Sequence, residues 1–316
     1  MQTSGREFSL IERYFRQQAS PDASVVLGIG DDCALIMPTP GMQQAISIDT
    51  SIADRHFPAD APPYLIGRRV LNVSLSDLAA MGATPRWFTL ALALVEADDD
   101  WLAGFAGGLF SAAEAGDIRL IGGDTTRAGQ LVISTQVQGE LPPGTALTRA
   151  GAQAGEHIYV TGPLGLAAAG LALYRQQRDG PQALVNAYLD PQPQLATGHR
   201  LRGLAGSCID ISDGLLADLG HILAASAVGA ELDLAAVPLD EQAIRLFGYR
   251  QALQWALTGG DDYQLCFTSR LDRAALAARG IEGVCRIGQI NQADGLVFVN
   301  RPADLTITST GFDHFA

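Results

Sequence analysis

The sequence predicts an α/β protein made of two domains. The chain has 316 residues with 47% hydrophobic content, and one domain takes roughly 100–200 residues. A stretch rich in Gly and Pro at 142–156 breaks the chain near its middle, and strand and helix patterns alternate regularly after it. We therefore expect an N-terminal domain over 1–141 and a C-terminal domain over 142–316.

The N-terminal domain is predicted to be α+β. Apolar residues at helical spacing predict a first helix over 8–18, with Ser9 as its N-cap. Pro62 and Pro63 open a second helix that is expected to end at Gly82, and the acidic run 98–100 favours the start of a third. The intervening segments are predicted to be strands at 25–29, 33–37, 44–49, 86–96, 118–126 and 130–141. Alternating apolar residues at 86–96 and 130–141 call for a second apolar surface, which favours a homodimer.

The C-terminal domain is predicted to layer helices on a sheet. Strands are expected at 157–162, 207–212, 230–234, 263–268, 284–290 and 296–299. Helices are expected at 164–177, 214–227 and 271–279, with two more before the strand at 263. Alternation of strands and helices in this manner indicates an α/β domain.

Composition and charge exclude several classes of protein. The formal charge of -13 argues against nucleic acid as a partner. No apolar run approaches the ~20 residues of a membrane span, and the charged N-terminus lacks the apolar core of a signal peptide. Cys33, Cys208, Cys266 and Cys285 form no C-x-x-C pair, which argues against a zinc site or a disulfide framework. We expect a cytoplasmic, reduced protein that binds neither nucleic acid nor membrane.

The chain contains no lysine, because all 21 basic residues are arginine. This absence excludes a Walker-A lysine, the strand lysine of protein kinases and a Schiff-base lysine. If the protein binds phosphate, it must use backbone N–H groups, arginine and metal ions.

Aspartates recur where strands and turns end. Six of them follow apolar or small residues at such positions: Asp31, Asp32, Asp49, Asp124, Asp210 and Asp213. Asp77 differs, since it lies near the C-terminal end of a helix, where the macrodipole disfavours an anion. A single aspartate at a turn is commonly a cap or a solvated residue, but oxygen ligands from several strands suit a hard cation, Mg²⁺, Mn²⁺ or Ca²⁺. Because Mg²⁺ completes its shell with water and phosphate, the set suggests a nucleotide-phosphate site.

Two further features favour phosphate. Gly122 and Gly123 expose backbone N–H groups next to Asp124. Arg149 could bind a phosphate through two parallel N–H groups. The competing interpretation of Arg149 is an ordinary surface arginine.

Seven motifs along the chain resemble those of the thiamine-monophosphate kinase family. They are GIGDDCALI, NVSLSDLAAMGATP, LIGGDTTR, ALTRAGA, IDISDGLLADLGH, GGDDYQLCF and GFDHF, and they run in order from residue 28 to residue 315. The family belongs to the superfamily of aminoimidazole ribonucleotide synthetase and selenophosphate synthetase. The resemblance implies a fold in which the N-terminal sheets of two subunits pair in a homodimer and the C-terminal domain closes over nucleotide and substrate.

The resemblance also implies an activity and its residues. The γ-phosphoryl group of ATP would be transferred to thiamine monophosphate, giving thiamine diphosphate, with several Mg²⁺ ions. The implied metal ligands are Asp32, Ser47, the carbonyl of Ile48, Asp49, Asp77, Asp124, Asp210 and Asp213. The residues implied to bind ATP are Gly123, Asp124, Arg149 and Ser212, with Arg149 as a charge stabiliser, and those implied to contact the thiamine moiety are His56, Asp261 and Phe312. Asp31 is interpreted as a turn residue or a partner of a ligand, since the resemblance favours Asp32.

We expect direct, in-line transfer without a phosphoenzyme. A covalent route needs a nucleophile with an activating base, and the one candidate near the implied site is His56, which the resemblance assigns to the thiamine side. Thiamine monophosphate is already largely dianionic near neutral pH and needs little help from a general base. Its reaction with ATP instead requires that the repulsion between two polyanions be cancelled.

Two positions depart from the family pattern. Ile48 stands where threonine is common, so a main-chain contact survives but a hydroxyl contact does not. Asp261 stands where glutamate is common, which shortens the side chain by one methylene. For His56 the competing interpretation is a loop histidine, and for Phe312 it is an apolar plug of the core.

Two other functions remain as alternatives. One is a different ATP-dependent synthetase of the superfamily, whose selenium branch generally uses an N-terminal Cys or selenocysteine together with a lysine. Here the first cysteine is Cys33 and lysine is absent. The other is a nucleotide- or metal-binding module without catalysis, against which the retention of all six aspartates argues. ATP turnover with a panel of phosphate-bearing acceptors discriminates among the three functions.

Overall fold

The structure is a computed structural model of the chain, and it describes residues 6–19, 22–177, 180–303, 305–307 and 311–312. The backbone forms two compact units. Unit 1 comprises Met1–Leu78 and Thr84–Pro143, and unit 2 comprises Ala79–Ala83 and Gly144–Ala316. The last residue of unit 1, Pro143, lies close to the boundary expected at 141/142. In addition, the short segment Ala79–Ala83 belongs to unit 2, although the residues on either side of it belong to unit 1.

Unit 1 mixes helices and strands, as predicted. Its elements are α1 (Arg6–Leu10), a π-helical segment (Ile11–Arg16), β1 (Val25–Leu27), β2 (Leu35–Ile36), β3 (Gln43–Ile52), α2 (Pro63–Ala80, the last two residues in unit 2), β4 (Thr84–Leu94), α3 (Asp99–Ala115), β5 (Arg119–Arg127) and β6 (Val132–Leu141). The prediction of Ser9 as an N-cap is wrong, because the chain is already helical at Arg6 and Ser9 lies inside α1.

The two long helices of unit 1 begin where the sequence predicts. Pro63 opens α2, since its fixed φ and missing N–H suit the first helical turn. The side chain of Asp98 accepts the N–H of Trp101 at 2.8 Å and so caps α3. A Cβ atom at Gly67 or at Gly108 would collide with the backbone of the other helix. The absence of these side chains lets α2 and α3 pack closely.

Four strands of unit 1 form one sheet, in the order β3-β6-β4-β5. The β3–β6 and β6–β4 pairs are antiparallel, the β4–β5 pair is parallel, and β1 and β2 form a separate antiparallel pair. The register aligns Asp49, Thr135, Leu90 and Gly123 in one row across the sheet. Residues directly opposite one another share a face. We call this face the inner face, because α2 covers it, with the Ser74 hydroxyl 2.6 Å from that of Thr135.

The other side of the sheet, the outer face, carries the next row: Thr50, Ser134, Ala91 and Asp124. The apolar residues of β4 lie on the inner face, where Leu90, Leu92 and Leu94 are buried. The strands 86–96 and 130–141 therefore do not present the apolar surface that the sequence analysis used to predict a dimer. The exposed apolar side chains lie instead on β3, where Ile46 is 60% and Ile48 is 64% exposed.

Unit 2 layers helices on a six-stranded sheet, which confirms the predicted α/β class. Its elements are β7 (His157–Val160), α4 (Leu166–Gln176), α5 (Gln182–Leu189), α6 (Leu195–Leu201), β8 (Ser207–Asp210), α7 (Leu215–Ser226), β9 (Gly229–Asp233), α8 (Glu241–Phe247), α9 (Tyr249–Thr258), β10 (Leu265–Ser269), α10 (Arg273–Ala277), β11 (Cys285–Asn291) and β12 (Leu296–Val299). The strand order is β12-β9-β11-β7-β10-β8, and each pair is antiparallel except β9–β12, which is parallel. Across the described ranges, no helix is long and apolar enough to cross a membrane.

Candidate functional site

The first group of predicted site residues lies between β3 and α2 in unit 1. Ser47 and Asp49 alternate with the exposed isoleucines of β3 and therefore share its inner face. The Ser47 hydroxyl donates a hydrogen bond to a carboxylate oxygen of Asp77, on α2. One carboxylate oxygen of Asp49 is buried and has no hydrogen-bond partner. Strand and helix thus bring together two carboxylates and a hydroxyl, all three from residues that the family resemblance implied as metal ligands.

The protonation of Asp49 reflects this environment. Burial, and to a lesser extent the neighbouring charge of Asp77, raise the pKa of Asp49 to about 6, whereas the Ser74 hydroxyl acts in the opposite direction. Two ionised carboxylates at such a place repel each other unless a positive charge lies between them. An unpartnered buried oxygen beside a second carboxylate and a hydroxyl is a donor set that fits a hard cation.

A second group surrounds a cavity of about 1160 Å³ in unit 1. The cavity is lined by residues of the two glycine-containing motifs GIGDD and IGGDTT, including Asp31, Asp32, Gly123 and Asp124. The Asp31 carboxylate accepts the N–H of Asp32 at 2.9 Å, so Asp31 stabilises its own turn and Asp32 remains exposed beside it. This arrangement agrees with Asp31 as a turn residue.

Gly123 has a steric reason to be glycine. A Cβ atom at this position would collide with the carbonyl oxygen of Leu90 on β4, whereas a Cβ at Gly122 would meet nothing within 4 Å. The close approach of β5 to β4 therefore depends on Gly123, and Asp124 follows it at the exposed edge of the sheet.

The sheet keeps these two groups apart within one chain. Asp49 lies on β3 and Asp124 on β5, which are the two edge strands, and the register puts them on opposite faces. Three strand spacings separate the edges, roughly 14 Å. Among the residues that the structure describes, no three His, Cys, Asp or Glu side chains gather into a metal-binding group.

His56 lies in the turn that follows β3. Its Nδ1 atom accepts the N–H of Ile52 at 3.0 Å, which leaves the ring proton on Nε2 when the histidine is neutral. The turn includes Asp54 with a positive φ of 63° and closes through a backbone bond from Asp54 to the carbonyl of Phe57 at 2.7 Å. The ring is therefore held by its own turn and stays partly exposed.

In unit 2, four predicted site residues meet around the loop 211–214, which follows β8. The Asp261 N–H donates to the carbonyl of Ser212 at 2.8 Å, and the Phe312 N–H donates to the carbonyl of Asp213 at 3.0 Å. A Cβ at Gly260 or at Gly311 would collide with these carbonyl groups. The backbone thus joins Ser212, Asp213, Asp261 and Phe312, although the last lies about a hundred residues after the first.

The side chains of this loop cluster are oriented by local contacts. Asp261 and Tyr263 both have positive φ, 69° and 49°, and the Tyr263 hydroxyl donates to the Asp261 carboxylate at 3.1 Å. Phe312 is 49% exposed, so its interpretation as a plug of the core is wrong. Of the tail motif GFDHF, residues 313–315 lie outside the described residues.

The two remaining predicted residues of unit 2 have different environments. Asp210 ends β8 opposite Leu265 and is buried, with 5% exposure. Arg149 is exposed, and its backbone carbonyl accepts the Ser226 hydroxyl at 3.1 Å. The backbone of Arg149 is therefore held by α7 while its guanidinium faces solvent.

Sequence reasoning missed two buried carboxylates beside the same loops. Asp218, in the first turn of α7, accepts the N–H groups of Ser212, Asp213 and Gly214 on one oxygen, each at 3.1 Å. Burial and the charge of Asp213 raise the pKa of Asp218 to about 7, while the three N–H bonds act in the opposite direction. The signal in the sequence was an aspartate placed four residues after a glycine that opens an apolar helix.

Asp262 occupies the equivalent place at α4. Its two carboxylate oxygens accept the N–H of Gly165 at 2.6 Å and of Ala167 at 3.1 Å. Burial raises the pKa of Asp262 to about 7, and the charge of Asp261 acts in the same direction against these backbone bonds. The sequence analysis selected Asp261 and not Asp262, and the structure gives these neighbouring residues different environments.

Comparison with known proteins gives the same assignment over the whole chain. The model of the AIR synthase related protein, N-terminal domain, matches residues 30–141, and that of the AIR synthase related protein, C-terminal domain, matches residues 153–304. The thiamine-monophosphate kinase of Escherichia coli (strain K12) is 47% identical over 321 residues, covering 98% of both chains.

Solved structures agree with the sequence comparison. The crystal structure of thiamine-monophosphate kinase from Stenotrophomonas maltophilia K279a is 42% identical and superposes with a TM-score of 0.86, covering 94% of this chain and 98% of that one. A structure described as AaThiL complexed with AMPPCP and TMP is 26% identical, with a TM-score of 0.78 over 88% of this chain and 89% of that one.

Proposed function

The chain belongs to the AIR synthase related family and, within it, to the thiamine-monophosphate kinases, and on this basis we propose that it transfers the γ-phosphoryl group of ATP to thiamine monophosphate. The product is thiamine diphosphate. Curated relatives that match 98% of this chain are named thiamine-monophosphate kinases, and the related structure AaThiL is described as complexed with AMPPCP and TMP. Similarity over nearly the full length of both chains supports the transfer of this activity.

The observation that carries the proposal is the acidic pair between β3 and α2. A buried Asp49 oxygen without a partner, beside Asp77 and Ser47, calls for a bound cation rather than for a packed core. A cation of this kind binds polyphosphate in enzymes that transfer phosphoryl groups.

We propose that the metal ligands are Asp32, Ser47, the carbonyl of Ile48, Asp49, Asp77, Asp124, Asp210 and Asp213. When Mg²⁺ is bound, it neutralises phosphate charge and aligns the phosphate oxygens of donor and acceptor. The exposure of Asp32 and Asp124 at the cavity and the partial exposure of Asp213 in the loop 211–214 are compatible with these roles. Ile48 directs its side chain to the outer face, so only its main-chain carbonyl can act as a metal ligand.

The residues proposed to bind the two substrates differ in chemistry. For ATP they are Gly123, Asp124, Arg149 and Ser212, and the absence of lysine makes Arg149 the cation available to cancel phosphate charge among them. For the thiamine moiety they are His56, Asp261 and Phe312. The backbones of Phe312 and Asp261 are bound to the same loop, and Phe312 is exposed. An aromatic ring and a carboxylate are side chains that suit a flat, cationic ring system.

The transfer is direct and in line. His56 uses Nδ1 to accept a backbone N–H, which leaves this nitrogen unable to act as a base or a nucleophile. No lysine exists to lower the pKa of a neighbouring nucleophile. The residues of the site therefore act by binding, orientation and charge compensation, which are the main contributions to catalysis of phosphoryl transfer.

The proposed functional unit is a homodimer formed through the N-terminal sheet. β3 is a ten-residue edge strand that exposes Ile46 and Ile48 on its outer face. A long edge strand with exposed apolar side chains is a site of association. The carboxylates of β3 and β5 lie at opposite edges of one sheet. A second copy of the chain is also the simplest way to bring β3 of one subunit close to β5 of the other.

One assay tests the proposed function. The purified protein, with Mg²⁺ and ATP, should convert thiamine monophosphate to thiamine diphosphate and leave unphosphorylated thiamine largely unchanged. Equal turnover of thiamine, or no turnover of the monophosphate, would contradict the proposal. With chirally labelled ATP the γ-phosphorus should be inverted, whereas net retention would show a covalent intermediate.

A further inference from the structure

The N-terminus of α7 is filled by a side chain of the same protein. Helix N-termini expose N–H groups and attract anions, and a loop ending in glycine before a helix is a common phosphate site. Here the N–H groups of Ser212, Asp213 and Gly214 all donate to one oxygen of Asp218. These three N–H groups are therefore not available to a phosphate.

Asp218 is placed to act on the loop rather than on a ligand. It is 2% exposed, so it cannot contact a bound nucleotide directly. Its hydrogen bonds reach the backbone of Ser212 and Asp213, which are proposed to bind ATP and a metal. With the backbone N–H groups engaged, the groups left to a ligand are the side chains of these two residues.

The two sides of the loop 211–214 are supported by different groups. Gly214 has a φ of 121°, and a Cβ there would lie within 2.9 Å of the Thr258 backbone. The carbonyl groups of Ser212 and Asp213 are bound by Asp261 and Phe312, so the N–H side depends on Asp218. Loss of that carboxylate would leave three donors without a partner at one point.

We propose that Asp218 is a positioning residue of the nucleotide site, an internal anion that takes the place of a phosphate at the start of α7 and orients the side chains of Ser212 and Asp213. This inference rests on the proposed function, because those two residues belong to the proposed ATP site. It adds a residue to that site and removes the amide groups of the loop from the candidates for binding phosphate.

The test compares Asp218→Ala with Asp240→Ala. Asp240 caps α8 by accepting the N–H groups of Gln242 and Ala243, at 2.8 and 3.0 Å, and so supports a helix other than the one that follows the loop 211–214. Asp218→Ala should raise the dissociation constant of a non-hydrolysable ATP analogue with Mg²⁺ by at least about tenfold. Asp240→Ala should leave that constant within about twofold while it lowers the melting temperature.

Chemical rescue separates a positioning role from a merely structural one. The space left by Asp218→Ala is suited to formate, which should raise the melting temperature of this variant and restore part of its affinity for the analogue. The wild type and Asp240→Ala should show no such gain. Unchanged affinity in Asp218→Ala, or formate that restores the melting temperature without the affinity, would overturn the proposal.

A second variant keeps the test decisive if Asp218→Ala does not fold. Asp218→Asn retains the size and one acceptor oxygen but not the charge, so its affinity for the analogue should fall and formate should have no effect. Wild-type affinity in Asp218→Asn would overturn the role of an internal anion. A wild type that binds the analogue but does not phosphorylate thiamine monophosphate contradicts the proposed function alone. The affinities of the Asp218 variants for the analogue still test the role of Asp218 in that case.

Discussion

Single carboxylates determine the chemistry of unit 1. Asp49 and Asp77 share a buried place with one unpartnered oxygen, and the pKa of Asp49 is raised to about 6 by burial and by Asp77. At neutral pH the ionised pair costs stability in the absence of a cation. The pair that we propose to bind metal therefore destabilises the metal-free protein.

Replacing Asp49, Asp77 or Asp210 with Asn should separate activity from folding. The amide keeps the volume and removes the charge, so the metal-free melting temperature should stay the same or rise, while activity falls by at least about 100-fold. The stabilisation that MgATP produces in a thermal melt should also disappear. Asp294→Asn, at an exposed turn, is the matched control. Variants that keep both full activity and the MgATP-induced shift would show that these aspartates are not ligands.

Asp262 should make the stability of the protein depend on pH. Its pKa is raised to about 7 by burial, above the unfolded value, so the folded state binds the proton more tightly and stability increases as the pH falls through 7. Between about pH 8 and about pH 6 the wild type should gain about 1.4 kcal/mol relative to Asp262→Asn. The melting temperature of the wild type minus that of Asp262→Asn should be about 3 °C larger at the lower pH than at the higher pH. A difference that is the same at both values would contradict the raised pKa.

The sequence indicated the residues now proposed as ligands, but it did not indicate the buried carboxylates that support the loops around them. Asp32, Asp49 and Asp77 stand in patterns that local chemistry explains, and Ser47, Asp49 and Asp77 do come together. Asp218 and Asp262 were missed because burial decides their role, and burial depends on segments far apart in the chain. Nothing local distinguishes Asp261 from Asp262, yet one is partly exposed beside Tyr263 and the other is enclosed at α4.

Among the elements, β5 depends on one glycine. A Cβ at Gly123 would collide with the carbonyl of Leu90, whereas Gly122 has open space on the other face of the strand. Gly123→Ala should therefore lower the free energy of unfolding by about 2 kcal/mol or more, while Gly122→Ala changes it by less than about 0.5 kcal/mol. Denaturant titrations of both variants measure the difference. Equal values would mean that β5 can move away from β4 without cost.

Most helices and strands were predictable from the sequence, but the pairing of the strands was not. Pro63 and Asp98 mark the starts of α2 and α3 by their backbone chemistry, and the long strands follow from apolar alternation. The helices α5 and α6 were missed, and the segment that separates them contains two prolines, which are typical of loops. The order β3-β6-β4-β5 depends on long-range pairing, which no local pattern encodes.

For the molecule as a whole, the exposed isoleucines of β3 predict the oligomeric state. Ile46→Glu places a charge on the outer face, and burial of an unpaired carboxylate in an interface costs several kcal/mol. Light scattering should show a dimer for the wild type and a monomer for this variant, with activity lost in parallel. Val297→Glu introduces the same charge at an exposed position of β12 and should remain dimeric. A wild type that is a stable monomer at micromolar concentration would refute the proposed assembly.

The alternation along β3 also makes its alignment with β6 decisive. Ser47 and Asp49 face α2, whereas Ile46 and Ile48 face away, and ten consecutive pairings from Gln43 to Ile52 hold the strand in this phase. A slip of one residue would exchange the two sets, so that the isoleucines would crowd Asp77 and the carboxylate would face solvent. An insertion or deletion within this strand should therefore abolish both the proposed metal binding and the proposed subunit pairing. Point substitutions, in contrast, can affect one of these properties without the other.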